Sequence, residues 1–231
     1  MLDEIWKTLR GIHRFFMDQL LYPLVLSSLL ALGFWLGQVV LSSSWVFYRN
    51  LIWNLFLAWI PYLFSFLAAA SHRLFPRQWW LLILPGAVWL AFFPNAPYLL
   101  TDFLHLENRP GIPLWYDILL LAAFAWSGLF LAVASLQSMH RIMSGYLGWL
   151  GGWTFAMTAL GLSGLGLYLG RFSRWNSWDL LLQPKDILRD LLSRFANPFS
   201  NLTFFGFTLM FTAFLLVCYL TFVSVRRVGS R

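Results

Sequence analysis

Residues 20–41 read LLYPLVLSSLLALGFWLGQVVL, and no Asp, Glu, Lys or Arg falls anywhere in the run. A helix needs about 20 apolar residues to cross the hydrocarbon core of a bilayer. A surface helix of a soluble protein would instead show a polar face once every turn or so. The run is therefore read as a membrane span. Five further runs of similar length follow it, at 51–70, 79–100, 115–136, 147–169 and 202–225. The expected fold class is all-α, a polytopic transmembrane helix bundle of about six spans.

Composition agrees with that reading. The chain is 60% hydrophobic and 11% charged, with a mean hydropathy of +0.69. Soluble domains carry about 25% charged residues, so a water-soluble fold of this length could not hide so much apolar surface. Trp45, Trp53, Trp79, Trp80, Trp115, Trp149 and Trp153 lie near the ends of apolar runs, where amphipathic rings anchor helices at headgroup depth. The net charge is +7. A nucleic-acid binder gathers such charge on one soluble face. Here Lys and Arg punctuate apolar segments, so membrane lipids are the expected partners and no nucleic acid is. The single cysteine, Cys218, permits neither an intrachain disulfide nor a Cys-based metal site. The sequence names no cofactor and no metal.

Residues 1–19 form an amphipathic interfacial segment. Ile5, Leu9, Ile12 and Phe16 fall on one helical stripe, with Lys7, Arg10, Arg14 and Asp18 on the other side. The run behind it is too long for a signal-peptide core and lacks a small-x-small cleavage site, so it is read as an uncleaved first span. Residues 20–225 make the six-span domain and 226–231 a basic tail. With the N-terminus inside, the inner loops and ends hold Lys7, Arg10, Arg14, Arg73, Arg77, Arg141, Arg226, Arg227 and Arg231. The outer loops hold Arg49, Arg109 and the Arg171, Arg174, Lys185, Arg189 and Arg194 of one long loop. The Lys and Arg excess places both termini in the cytoplasm. Within the long loop, Pro184 can open a helix. Ile187, Leu188, Leu191, Leu192 and Phe195 would form its apolar stripe, and Asp186, Arg189, Asp190 and Arg194 would face away from that stripe, with Asp190 and Arg194 as an i,i+4 pair. Such a helix would lie on the membrane or cap the bundle.

Polar residues inside or beside the spans mark the candidate site. Asn54 and Pro61 sit in the second span, as a buried amide and a kink. Residues 92–107 read FFPNAPYLLTDFLHLE. Two prolines three apart break a helix, so the backbone around Asn95 is expected to be non-helical while still near membrane depth. Such breaks survive only when buried in protein or lining a wet cavity. Asp102 and His105 follow at i,i+3 spacing, which fits two ligands of a metal or a carboxylate orienting a general base, and equally a helix cap with an interface anchor. Asp117 lies one turn into the fourth span, where a charge is costly unless paired or facing water. The fifth span holds Gly148/Gly152 and Gly166/Gly170 pairs, whose spacing favours close helix contact within the chain, in a homo-oligomer or with a membrane-complex partner. Then Arg171, Arg174, Trp175, Asn176, Ser177, Trp178 and Asp179 crowd one short stretch. Arg forks grip carboxylate or phosphate, so this is either an anion or headgroup clamp or a salt-bridged loop.

Asn54-to-Pro61, the Phe93-to-Asp102 run, Trp115-x-Asp117 and Gly170-Arg171-to-Asp179 together resemble the bacterial membrane-protein family catalogued as domain of unknown function 1361. The resemblance covers about residues 50–225. It implies a polytopic protein of a bacterial cell membrane, and no activity. Three function classes follow from the residues. In the first, Asp102, His105 and Asp117 act as acid, base or ligands, while Asn95, Tyr98, Arg171, Arg174, Trp175, Asn176 and Asp179 hold a small polar or lipid-headgroup ligand. In the second, the break at residues 94–97 is the midpoint site of a transporter. In the third, the chain is a structural subunit of a membrane complex.

Overall fold

The computed structural model describes residues 2–42, 45, 48–107 and 112–229, with side-chain surroundings for all of these except 2, 3, 5 and 226–229. Arg109 and Arg231, and the side chains of Ile5, Arg226 and Arg227, lie outside the described residues. The elements in chain order are α1 (Leu2–Asp18), α2 (Leu21–Ser42), α3 (Arg49–Leu74), α4 (Ile83–Phe92), α5 (Asn95–Tyr98), α6 (Leu114–Tyr168), α7 (Asp179–Leu182), α8 (Pro184–Ala196) and α9 (Leu202–Gly229). Short 3-10 turns at Trp79–Leu82, Leu99–His105 and Pro198–Asn201, and a π turn at Leu169–Ser173, extend or join them. The described residues contain no strand.

Among the described residues, five helical stretches are long and apolar enough to cross a membrane: 21–42, 49–74, 79–105, 114–173 and 198–225. Their outward faces are not covered by protein. Leu26, Val40, Leu209 and Met210 are each more than two-thirds exposed. Facing water, such patches would be costly; facing lipid they are at home. The chain is an integral, multi-pass helical membrane protein.

The fourth stretch is a hairpin rather than one rod. Gly148 sits at φ 73°, ψ 178° inside α6, a conformation in which L side chains are strained. The rings of His140 and Trp153 are 4.8 Å apart, whereas thirteen positions of straight helix would separate them by roughly 20 Å. A Cβ on Gly152 would collide with Ser144 on the preceding arm. Residues 114–147 and 149–168 are thus antiparallel arms, and the expected spans 115–136 and 147–169 fall one on each. Gly148 makes the turn, rather than acting as half of a small-residue pair.

The broken third stretch is wedged against both arms. A Cβ on Gly128 would strike the Ala96 carbonyl and the Leu99 side chain; one on Gly166 would meet the Pro94 ring at 2.6 Å. Gly170 faces the Tyr98 ring, at 3.3 Å from its added Cβ. The close approach of Gly166 and Gly170 is therefore spent inside the chain. The expectation of a non-helical backbone at Asn95 needs correcting. Phe93 (φ −54°, ψ −39°) and Pro94 (φ −62°, ψ −23°) keep right-handed helical angles. What breaks is the hydrogen-bond ladder, because Pro94 and Pro97 have no N–H to give. Asn95 repairs part of the loss, its side-chain amide donating to the Phe92 carbonyl at 3.1 Å. Pro61, by contrast, is carried within the single helix α3.

Contacts divide the bundle into two ends. At one end α1 packs Phe15 against Phe66, with ring centroids 4.9 Å apart, and Tyr62 donates to the Gln19 carbonyl at 3.0 Å. The Gln19 side chain meets Ser138. His140 is packed there against Trp153 and shares a 2.6 Å hydrogen bond with Tyr219. At the other end lie residues 48–54, 95–107, 112–117 and 168–201. On α8 the expected i,i+4 pair of Asp190 and Arg194 forms at 2.9 Å. It turns toward the bundle instead of away, because Arg194 also donates to Tyr168 at 3.2 Å and Ser173 at 3.1 Å. Of the expected apolar stripe, Ile187 is buried, while Leu188, Leu192 and Phe195 are exposed. The helix has three environments: protein on one side, an apolar face beside it, and Lys185, Asp186 and Arg189 outward.

Candidate functional site

Asp102 is the centre of the polar end. The 3-10 turn Leu99–His105 points it into the protein, where the residue is 4% exposed. A buried carboxylate is costly unless it is paired and hydrogen-bonded. One oxygen accepts from the Asn54 amide at 3.0 Å and the other faces Arg171 at 3.4 Å. Arg171 reaches across from the π turn that ends the second arm of α6. It donates to the Thr101 carbonyl at 2.8 Å and to the Tyr98 hydroxyl at 3.4 Å, and its guanidinium lies 5.7 Å from the Tyr98 ring centre. Two stretches about seventy residues apart thus meet in one network. A buried amide such as Asn54 needs a partner, and Asp102 supplies it.

Asn95 joins the same two stretches a second time, donating to the Ser177 hydroxyl at 2.7 Å. Asn176 and Asp179 close a local turn, with the Asn176 backbone and side-chain amides 2.7 and 3.3 Å from one Asp179 carboxylate oxygen. Trp175 donates its indole N–H to Asp190 at 3.2 Å, which ties this loop to α8. Arg174 is exposed at φ 60° and ends the π turn. Its side chain has no hydrogen-bond or ion partner among the described residues.

Asp117 lies at this end too, 1% exposed, accepting from the Tyr48 hydroxyl at 3.2 Å. It makes no direct contact with the Asp102 network among the described residues. His105 is exposed. It shares a cavity of about 170 Å³ with Asp102, Tyr48, Arg49, Asn50 and Glu107. Among the described residues, no group of three or more His, Cys, Asp or Glu side chains is placed to hold a metal ion.

A separate cavity of about 150 Å³ lies between the broken third stretch, α3 and the loop after α6. Asn54, Asn95, Tyr98, Asn176 and Ser177 give it polar walls, and Trp53, Trp175 and Trp178 its aromatic ones. The hydrogen bond from Asn54 to Asp102 forms a partition: Asn54 lines this cavity and Asp102 the other. Of these lining groups, Trp53, Asn54, Ser177 and Trp178 escape the sequence-level choice of site residues. The clue for Ser177 and Trp178 is their place in the crowded polar stretch; for Trp53 and Asn54 there is only the amide itself.

Residues 53–218 match the family described as a protein of unknown function, DUF1361. The chain belongs to this family. The matched stretch contains Asn54, Asn95, Asp102, Asp117, Arg171 and Asp179, and leaves out α1, α2 and Tyr48. No curated protein and no solved structure matches the chain.

Proposed function

We propose that the protein binds a small polar molecule, or the polar headgroup of a lipid, in the 150 Å³ cavity. In this reading the chain crosses a bacterial cell membrane six times with both termini in the cytoplasm, and the cavity opens on the extracytoplasmic side. The cluster of Lys7, Arg10 and Arg14 on α1, at the opposite end of the bundle, supports that orientation. The observation that carries the binding reading is the Asn95–Ser177 bond. It ties a broken membrane helix to a loop, so that the two form adjoining polar walls, and broken helices at membrane depth are characteristic of ligand sites.

Roles follow from the geometry. Asn95, Tyr98, Asn176 and Ser177 contact the ligand; Trp175 flanks it. Asp102 and Arg171 act as a strut, since each already spends its polar atoms on the other, on Asn54, on Tyr98 and on Thr101. Asp179 shapes the Asn176 turn. With its central charges satisfied internally, the site is suited to binding more than to proton transfer.

Native mass spectrometry of protein extracted in lipid nanodiscs from native membranes tests this. Wild-type protein is expected to retain a small-molecule or lipid adduct. Asn95→Leu should lose it at normal expression, and Gly161→Ala, facing open space on α6, should keep it. A wild-type protein with no adduct, or equal retention by Asn95→Leu, would sink the reading.

A further inference from the structure

Among the described residues, no Asp, Glu, Lys, Arg or His side chain lines the 150 Å³ cavity. A phosphate or ammonium group placed there would lose its water without meeting a counter-ion, which is unfavourable. Two nearby guanidinium groups are committed elsewhere: Arg171 to Asp102, Tyr98 and Thr101, and Arg194 to Asp190, Tyr168 and Ser173. The third, Arg174, is exposed and is not among the residues that line the cavity. The polar groups on its walls are three amides and two hydroxyls. Asn54 and Asn176 each spend one side-chain N–H on a carboxylate and keep the other; Asn95 spends both on Phe92 and Ser177 and offers its carbonyl oxygen. This mixture of donors and acceptors suits a ligand made of hydroxyl groups. The indole faces of the tryptophans carry negative charge density and suit the weakly positive C–H face of a saturated sugar ring.

The rim faces lipid. Trp53, Leu180 and Trp178 are 53%, 45% and 37% exposed. Trp53 heads a stripe of α3 that continues through Phe56, Leu63 and Leu67, each about half exposed. On the other side of the rim, Leu181 and Leu182 of α7 stand almost free. Nothing but acyl chains suits these surfaces, and Trp at the top of such a stripe marks headgroup depth.

We infer that the cavity receives the uncharged, polyhydroxylated headgroup of a glycosyl lipid, entering sideways from the bilayer, with its acyl chains lying along the α3 stripe. The inference rests on the proposal that this cavity binds a polar ligand. Its test uses the full chain in phosphatidylcholine nanodiscs doped with rising fractions of a monoglucosyl diacylglycerol. Parallel arms use phosphatidylglycerol and free glucose, and occupancy is read by native mass spectrometry. The glucosyl lipid should bind saturably at one equivalent. Asn95→Leu should weaken it about tenfold by removing the carbonyl oxygen that accepts from the ligand and the bond that places Ser177. Leu180→Asp, at a rim position 45% exposed, should weaken it at least as much. Saturable phosphatidylglycerol binding in place of the glucosyl lipid would overturn the neutral headgroup yet leave cavity binding standing. Glucose binding as tightly as the lipid would overturn sideways entry. No saturable binding by any probe would overturn the inference, while the adduct carried from native membranes decides the broader proposal separately.

Discussion

Replacing Arg171 by Met tests the link between the two halves of the polar end. Met keeps much of the buried stem and removes the charge. Asp102 would then retain only the Asn54 amide, and the Thr101 carbonyl would lose its donor. Breaking a buried ion pair from one side costs about 3–5 kcal/mol. The 3.4 Å separation is long for a charge-assisted bond, which argues for the lower end, about 3 kcal/mol. Both partners are well buried, with side chains 10% and 5% exposed, so screening by solvent trims this little. Asp102→Leu should cost a similar amount, because it strands the guanidinium. The double variant removes both charges and should lose only the orphaned Asn54 amide and Thr101 carbonyl, about 1–2 kcal/mol. The coupling between the sites is therefore about 4–5 kcal/mol. Unfolding free energies from dodecyl sulfate titration in mixed micelles give all four corners of the cycle. Additive single variants, with coupling below about 0.5 kcal/mol, would refute the idea that the pair holds the two stretches together.

The glycine contacts predict a ranked series. Gly128→Ala and Gly166→Ala force a methyl group into the Ala96 carbonyl or the Pro94 ring and should each cost about 2–3 kcal/mol, read as a lowered Tm in micelles. Gly161→Ala meets nothing within 4 Å and should be neutral or slightly stabilising. Gly148→Ala should cost about 1–3 kcal/mol through backbone strain at φ 73° alone, and a Tm equal to wild type would contradict the hairpin turn. For topology, single cysteines in a Cys218→Ser background should split by face. His105→Cys and Asn176→Cys should be labelled by an impermeant maleimide on intact cells, and Arg77→Cys should not; opposite labelling of 105 and 176 would break the site apart.

The bundle was legible because lipid is a simple judge. A charge-free run of twenty or so residues has one comfortable solvent, and length then counts the crossings. The meeting of residues 102 and 171 was legible for the same reason: a low-dielectric setting makes a lone Asp or Arg too costly to leave unpaired. Which groups would pair was not. Asn54 and Asp102 are each common residue types, and only the wedge of the broken third stretch between Gly128 and Gly166 sets their distance. The orientation of α8 failed for a different reason. A two-way division into apolar and polar faces assumes two environments, but a helix at the edge of a bundle has three. Arg194 looked outward by charge and turns inward because Tyr168, Ser173 and Asp190 give it more bonds than water would lose. Leu188 and Leu192 are exposed beside the bundle, as the membrane-lying alternative for this helix requires, while Ile187 is buried as the capping alternative requires. The same logic bears on the cavity. Its tryptophans and leucines need not be buried by protein to be satisfied, so a ligand that brings its own acyl chains completes the surface that the fold leaves open.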